Sequence, residues 1–210
     1  LNVQYFNFHH HKKELSGGIY NLVMDEPPAQ RWFSAGIHPM EITENWQQKF
    51  EEINRKVLSS RCIAIGECGL DSRAAAPHSL QDEVFLKHLE LAESLRKPLI
   101  IHCVRRHQDL IRLCGNAQVP LIVHGFNKKS ETARALLGAG FYLSFGAELL
   151  RSVSLQEIFR EISPDSFFLE TDDTEIEIEE IYSKAAEIKQ VTMSQINKQI
   201  FENLAKLKDE

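Results

Sequence analysis

Eight short apolar runs alternate with polar or amphipathic stretches along these 210 residues, and that rhythm narrows the folds open to the chain. The runs cover 3–8, 18–24, 32–37, 62–66, 99–101, 121–123, 141–145 and 167–169. Several are continuously apolar, as expected of parallel strands covered on both faces. Trp46, Phe50, Ile53, Val57 and Leu58 share one helical face over 44–60. Phe85, Leu89, Ala92 and Leu95 do the same over 79–97, which stops before Pro98. Spacing predicts further helices at 107–114, 130–137, 149–162, 177–189 and 194–206. Strand–helix alternation carried to eight strands predicts an α/β fold, a (β/α)8 TIM barrel. The first two connections, 12–16 and 25–30, are too short for helices, so the expected barrel is compact, with its first two helices reduced or missing. An open doubly wound sheet is the alternative, but no glycine-rich phosphate loop follows the first run. No linker or repeat interrupts 1–210, which reads as a single domain.

Charge narrows the function. Lys and Arg total 24 against 30 Asp and Glu, a net charge of −6. A protein gripping long duplex DNA over its whole surface is usually basic. Nucleic-acid chemistry here is therefore expected to be local and assisted by bound cations. No run approaches the roughly 18 apolar residues of a membrane span, and the first eleven residues lack a signal pattern. Cys62, Cys68, Cys103 and Cys114 form no CxxC pair and read as reduced thiols in or near the core. A cytoplasmic location, with no membrane contact and no obligate protein partner, is the expectation.

The chemistry-bearing residues follow the apolar runs. The first ends in His9, His10 and His11, the third in His38, the fourth in Glu67, the fifth in His102, the sixth in His124 and the eighth in Asp172. Six of the nine histidines thus stand at strand ends, and in a barrel those ends converge on one mouth. Singly, each has a plainer use: Glu67 could pair with Arg73 or Arg105, and Asp172 could cap a helix. Jointly they point to metal. His9 and His11, two apart on a strand, face one side, whereas His10 faces away as a structural residue. His9, His11, Glu67, His102, His124 and Asp172 are too many ligands for one tetrahedral ion. Two divalent ions roughly 3.5–4 Å apart, bridged by Glu67, would use them all. The nitrogen–oxygen donor set suits Zn, Mn, Fe, Co or Ni, with Mg admissible beside a phosphate.

The ordered motifs FNFHHH, AGIHP, AIGECGLD, IIHCVR, VHGF and LETD resemble those of the TatD family of metal-dependent deoxyribonucleases, within the amidohydrolase superfamily. The resemblance runs from Phe6 to Asp172, and Asn203 stands near a loosely matched terminal element. It implies a barrel that hydrolyses phosphodiester bonds of DNA, with metal ligands at the six residues just named. Asn7 stands where the family has Asp, which is expected to alter support of the site rather than metal binding; Asp173 and Thr174 replace a usual Ser-Pro turn.

The expected activity is metal-assisted phosphodiester hydrolysis on DNA ends, single strands or oligonucleotides. Asp172 is the candidate general base and Glu67 the bridge. His38 is placed to bind a phosphate oxygen or assist the leaving group, and Arg105 to hold a neighbouring phosphate. The alternatives are hydrolysis of another ester, lactone or amide, and a vestigial barrel acting as a binding module. Relatives with those other activities often carry a modified lysine at the position held here by Glu67.

Overall fold

The computed structural model describes residues 5–15 and 17–209. Val3 and Gln4 of the first expected strand and Ser16 of the first connection lie outside the described residues. The strands are β1 (Asn7–His10), β2 (Gly18–Asn21), β3 (Phe33–Ala35), β4 (Cys62–Asp71), β5 (Leu99–Val104), β6 (Leu121–Val123), β7 (Tyr142–Phe145) and β8 (Phe167–Leu169). They form one parallel sheet in sequence order. The seam between β1 and β8 is bridged just beyond them: the His11 N–H donates to Asp172 O at 3.2 Å, and the Asp172 N–H donates to His9 O at 3.0 Å. The result is a nearly closed barrel whose last hydrogen bonds are made by candidate site residues.

Among the described residues, seven α-helices surround the sheet: α1 (Trp46–Lys56), α2 (His78–Leu95), α3 (His107–Leu113), α4 (Ser130–Gly138), α5 (Val153–Glu161), α6 (Ile178–Lys189) and α7 (Met193–Asp209). No described residue between β1 and β3 is helical, in line with the two reduced connections. The stretch read as one helix over 149–162 is divided, because a 3-10 turn at Ala147–Leu150 precedes α5 and Ser152 caps α5 by accepting from Leu155 N.

The core follows from the apolar runs. Phe8 stacks on Phe168 across the barrel seam, with centroids 4.1 Å apart. All four cysteines are free and buried. Asn203 on α7 is fully buried and donates to the carbonyls of Pro164 and Phe167, which pins the entry of β8. Two strands run further than their apolar runs: β4 continues through Glu67 to Asp71, and β5 through His102 to Val104. Gly69 permits this. It sits at φ +152°, and a Cβ there would overlap the His102 carbonyl, so only glycine lets β4 and β5 approach so closely. No helix among the described residues is long and apolar enough to cross a membrane.

Candidate metal centre

Glu67 is the hub of the barrel mouth. Its Oε2 lies 3.5 Å from His9 Nε2 and 3.8 Å from His11 Nε2. Its Oε1 lies 2.7 Å from His124 Nε2, 3.1 Å from His102 Nδ1 and 3.3 Å from His38 Nε2. One carboxylate thus faces two separate groups of imidazoles. Asp172 completes the first group, its Oδ1 lying 3.3 Å from His11 Nε2 and 3.6 Å from His9 Nε2. The site opens into a cavity of about 380 Å3, lined among others by His11, His38, Glu67, His102 and Asp172.

The donor set suits cations. Among the described residues, three overlapping trios place their ligand atoms within 4.8 Å of one another: His9, Glu67 and His124; His9, His11 and Asp172; His38, Glu67 and His102. His9 is wholly buried, and neither of its ring nitrogens has a hydrogen-bond partner among the described residues. A buried imidazole left without partners is costly unless something else binds it. A mixed imidazole and carboxylate set fits a divalent transition metal.

Electrostatics hold both carboxylates ionised. Burial alone would raise Glu67, but the charges and hydrogen bonds of His124, His102 and His38 hold it well below the usual carboxylate range. Asp172 is likewise opposed by burial, yet its bond to His11 and the nearby His124 and His9 bring it to about 2. Burial opposes protonation of His124, and Glu67 and Glu170 outweigh it, so its pKa is raised well above normal. His11 is raised too, its burial outweighed by Asp172 and Glu67. An incoming cation would displace those protons.

A second tier orients these side chains. Asp71 Oδ2 lies 2.9 Å from His102 Nε2 and also accepts from Arg73 at 2.7 Å. Glu170 Oε1 lies 3.4 Å from His124 Nδ1, accepts from Gly125 N at 2.6 Å, and its other oxygen accepts from Ser144 Oγ. Asn21 Oδ1 accepts from Glu67 N at 3.1 Å, and its amide donates to Glu67 Oε2 at 3.4 Å. Carboxylates behind histidines fix the ring and its tautomer. Sequence reasoning missed Asp71, Glu170 and Asn21. Alternation offered a sign for Asp71, four residues after Glu67 on the same strand, and Glu170 lies inside LETD. Nothing local marks Asn21.

Other placements differ from the plainer readings. Arg73 pairs with Asp71 rather than Glu67. Glu177, not Asp172, occupies the N-cap of α6. His10 is buried beside Tyr20, and burial with the His9 charge presses its pKa to about 4. Asn7 clasps β1 to the segment just past β8: its amide donates to Thr171 Oγ1 at 2.7 Å and its oxygen accepts from Thr171 N at 3.0 Å. Arg105 lines a different cavity from the one at Glu67.

A family model described as TatD related DNase matches residues 13–208. The chain belongs to this TatD family. The matched span begins just past the first motif and its histidines. An uncharacterised metal-dependent hydrolase of Escherichia coli, YcfH, is 30% identical over 168 residues, 77% of this chain and 59% of that protein. A protein named 3'-5' ssDNA/RNA exonuclease TatD, from Erwinia billingiae, is 33% identical over 154 residues, 69% of this chain and 58% of that one. The chain therefore spans a little under three fifths of the length of these relatives. The TatD barrel is also shared with solved structures. A TatD family hydrolase from Entamoeba histolytica superposes with a TM-score of 0.78 at 14% identity, covering 97% of both chains. The Escherichia coli homologue YJJV gives 0.78 at 16% identity, covering 96% of both.

Proposed function

We propose that this chain is a metal-dependent hydrolase of phosphodiester bonds, a TatD-type deoxyribonuclease acting on DNA ends or single strands. The observation that carries the reading is the placement of Glu67, one oxygen toward His9 and His11 and the other toward His102 and His124, beside Asp172. His9, His11 and Asp172 would hold one divalent ion, His102 and His124 another, with Glu67 shared between them. Bound ions of this kind lower the pKa of water and offset charge developing on phosphoryl oxygens. The exonuclease name borne by the Erwinia relative supports the choice of nucleic acid as substrate.

The chain's own residues supply the rest. Asp172 is ionised across the neutral range and accepts a hydrogen bond, then the proton, from the attacking water. His38 Nδ1 accepts from Met40 N at 3.1 Å, so its Nε2 carries the proton of the neutral ring; that proton faces Glu67 Oε1 at 3.3 Å and would turn to a phosphate oxygen or the leaving group once substrate binds. The test combines metal analysis of the purified protein with degradation of an end-labelled single-stranded oligonucleotide under Mg2+, Mn2+ or Zn2+. About two equivalents of metal with laddering from one end is the expected result. Metal without cleavage of any strand or of bis-nitrophenyl phosphate would overturn the phosphodiesterase reading.

A further inference from the structure

A second and larger cavity, about 780 Å3, lies beside the one at Glu67. Loops following β4, β5 and β6 line it with Arg73, Arg105, Lys128 and Lys129, while α4 and α5 contribute Glu131, Glu157 and Glu161. The two cavities are joined through one hydrogen-bonded chain, since Arg73 grips Asp71 at 2.7 Å and Asp71 holds His102 at 2.9 Å.

Among the described residues, none of the three lining glutamates forms an ion pair with these cations. Arg73 alone has an ion-pair partner, Asp71. Among the described residues Arg105 and Lys129 have no side-chain hydrogen bond or ion pair, and Lys128 reaches only Asn127 Oδ1. Burial, and repulsion from Arg73 and Arg105, lower the Lys128 pKa. Arg105 is also held at φ +57°, a left-handed conformation that is strained for a non-glycine residue. Arg96 and Gln190 share that conformation because each ends a helix. Arg105, like Asp172, adopts it at the barrel mouth, where such strain commonly serves binding.

We infer that this cavity is a phosphate subsite, taking one or two phosphodiesters of a single strand whose scissile bond lies at Glu67. The inference rests on the nucleic-acid reading of that site. Arg105, Lys128 and Lys129 meet the strand, and the glutamates of α4 and α5 turn away a longer run of phosphates. A chain of net charge −6 thereby grips a polyanion over a short stretch only.

Fluorescence anisotropy of the full chain with a short labelled phosphorothioate oligothymidylate, which resists hydrolysis, tests this across a salt series. Each cation engaged contributes about 0.7 to the slope of log affinity on log salt for a single strand. The double variant Lys128→Gln, Lys129→Gln should bind at least about tenfold more weakly at low salt, with a slope shallower by about 1.4. Arg105→Gln should flatten the slope by about 0.7, and circular dichroism with Tm verifies the fold of both. Unchanged slopes in both variants overturn the subsite. So does a loss confined to a strand bearing a 5′-terminal phosphate, which would mark an end-phosphate site instead. Altered slopes in a protein that cuts no natural strand would keep the subsite and remove the nuclease reading. Cleavage with unaltered slopes would do the reverse.

Discussion

Asp71 and His102 are locked together, with Oδ2 of the carboxylate 2.9 Å from Nε2 of the ring. Asp71 is fully buried, and Arg73, which donates to the same oxygen at 2.7 Å, joins His102 in keeping it ionised far below the usual range despite burial. The His102 ring is therefore fixed with Nδ1 directed at Glu67. Asp71→Asn should leave the fold intact but weaken divalent-metal affinity about 10–100-fold, because a neutral amide orients and charges the imidazole less well. Calorimetric titration with Zn2+ or Mn2+ measures it. A lowered Tm with unaltered affinity would reduce Asp71 to a structural residue.

Glu67 faces both imidazole groups, so its loss should be felt by both. Glu67→Gln is expected to reduce bound metal below one equivalent and to cut hydrolysis by more than the ~10–100-fold typical of a residue that only supports a ligand. Asp172→Asn touches the His9 and His11 group alone and should retain about one equivalent. Metal analysis of the two variants side by side decides whether the carboxylates differ in this way.

The Asn7–Thr171 pair spans 164 residues and closes the barrel where β1 meets the end of β8. Both residues are buried, so Asn7→Ala leaves the Thr171 groups unpaired. A loss of about 1–3 kcal/mol in urea-unfolding stability is expected, with an unchanged m-value. A loss within experimental error would show that water replaces the amide.

His88 supports the loop carrying His38, because its Nε2 accepts from Ile37 N at 3.0 Å while Nδ1 donates to Val84 O at 2.8 Å. It is fully buried, and burial lowers its pKa from 6.5 to about 4. Between those values the unfolded chain binds the proton and the folded one does not. Stability contributed by neutral His88 is thus present above 6.5 and lost as pH falls toward 4. At pH 5 the loss relative to pH 7 is about 2 kcal/mol. His10 acts in the same direction, whereas His11 and His124 act in the opposite one. The quantity to measure is therefore the difference in pH dependence between wild type and His88→Gln; identical profiles would contradict it.

The eight strands were legible because parallel strands are marked by short apolar runs, and the two missing helices because 12–16 and 25–30 leave no room for them. The mouth was legible in part, since strand ends are local features and His9, His11, His38, His124 and Asp172 lie at or beside them, whereas Glu67 and His102 stand inside β4 and β5. The run lengths of β4 and β5 were not. Their extra residues interleave Glu67, Gly69, Asp71 and His102 with Cys68, Leu70, Cys103 and Val104, so polar residues break the apolar run while cross-strand pairing keeps the whole stretch in the sheet.

What the sequence determined by itself is the barrel and the chemical kinds of group at its mouth, because hydrophobic periodicity and residue type are written one residue at a time. Tertiary structure alone decided the partnerships. Asn21 meets Glu67 across 46 residues and His124 meets it across 57. Asp71 turns toward His102 and Arg73 rather than leaving Arg73 for Glu67, and Arg105 opens onto a cavity of its own. Those pairings depend on strand register and on which neighbour lies a hydrogen bond away. Such distances are set only when all eight strands are in place.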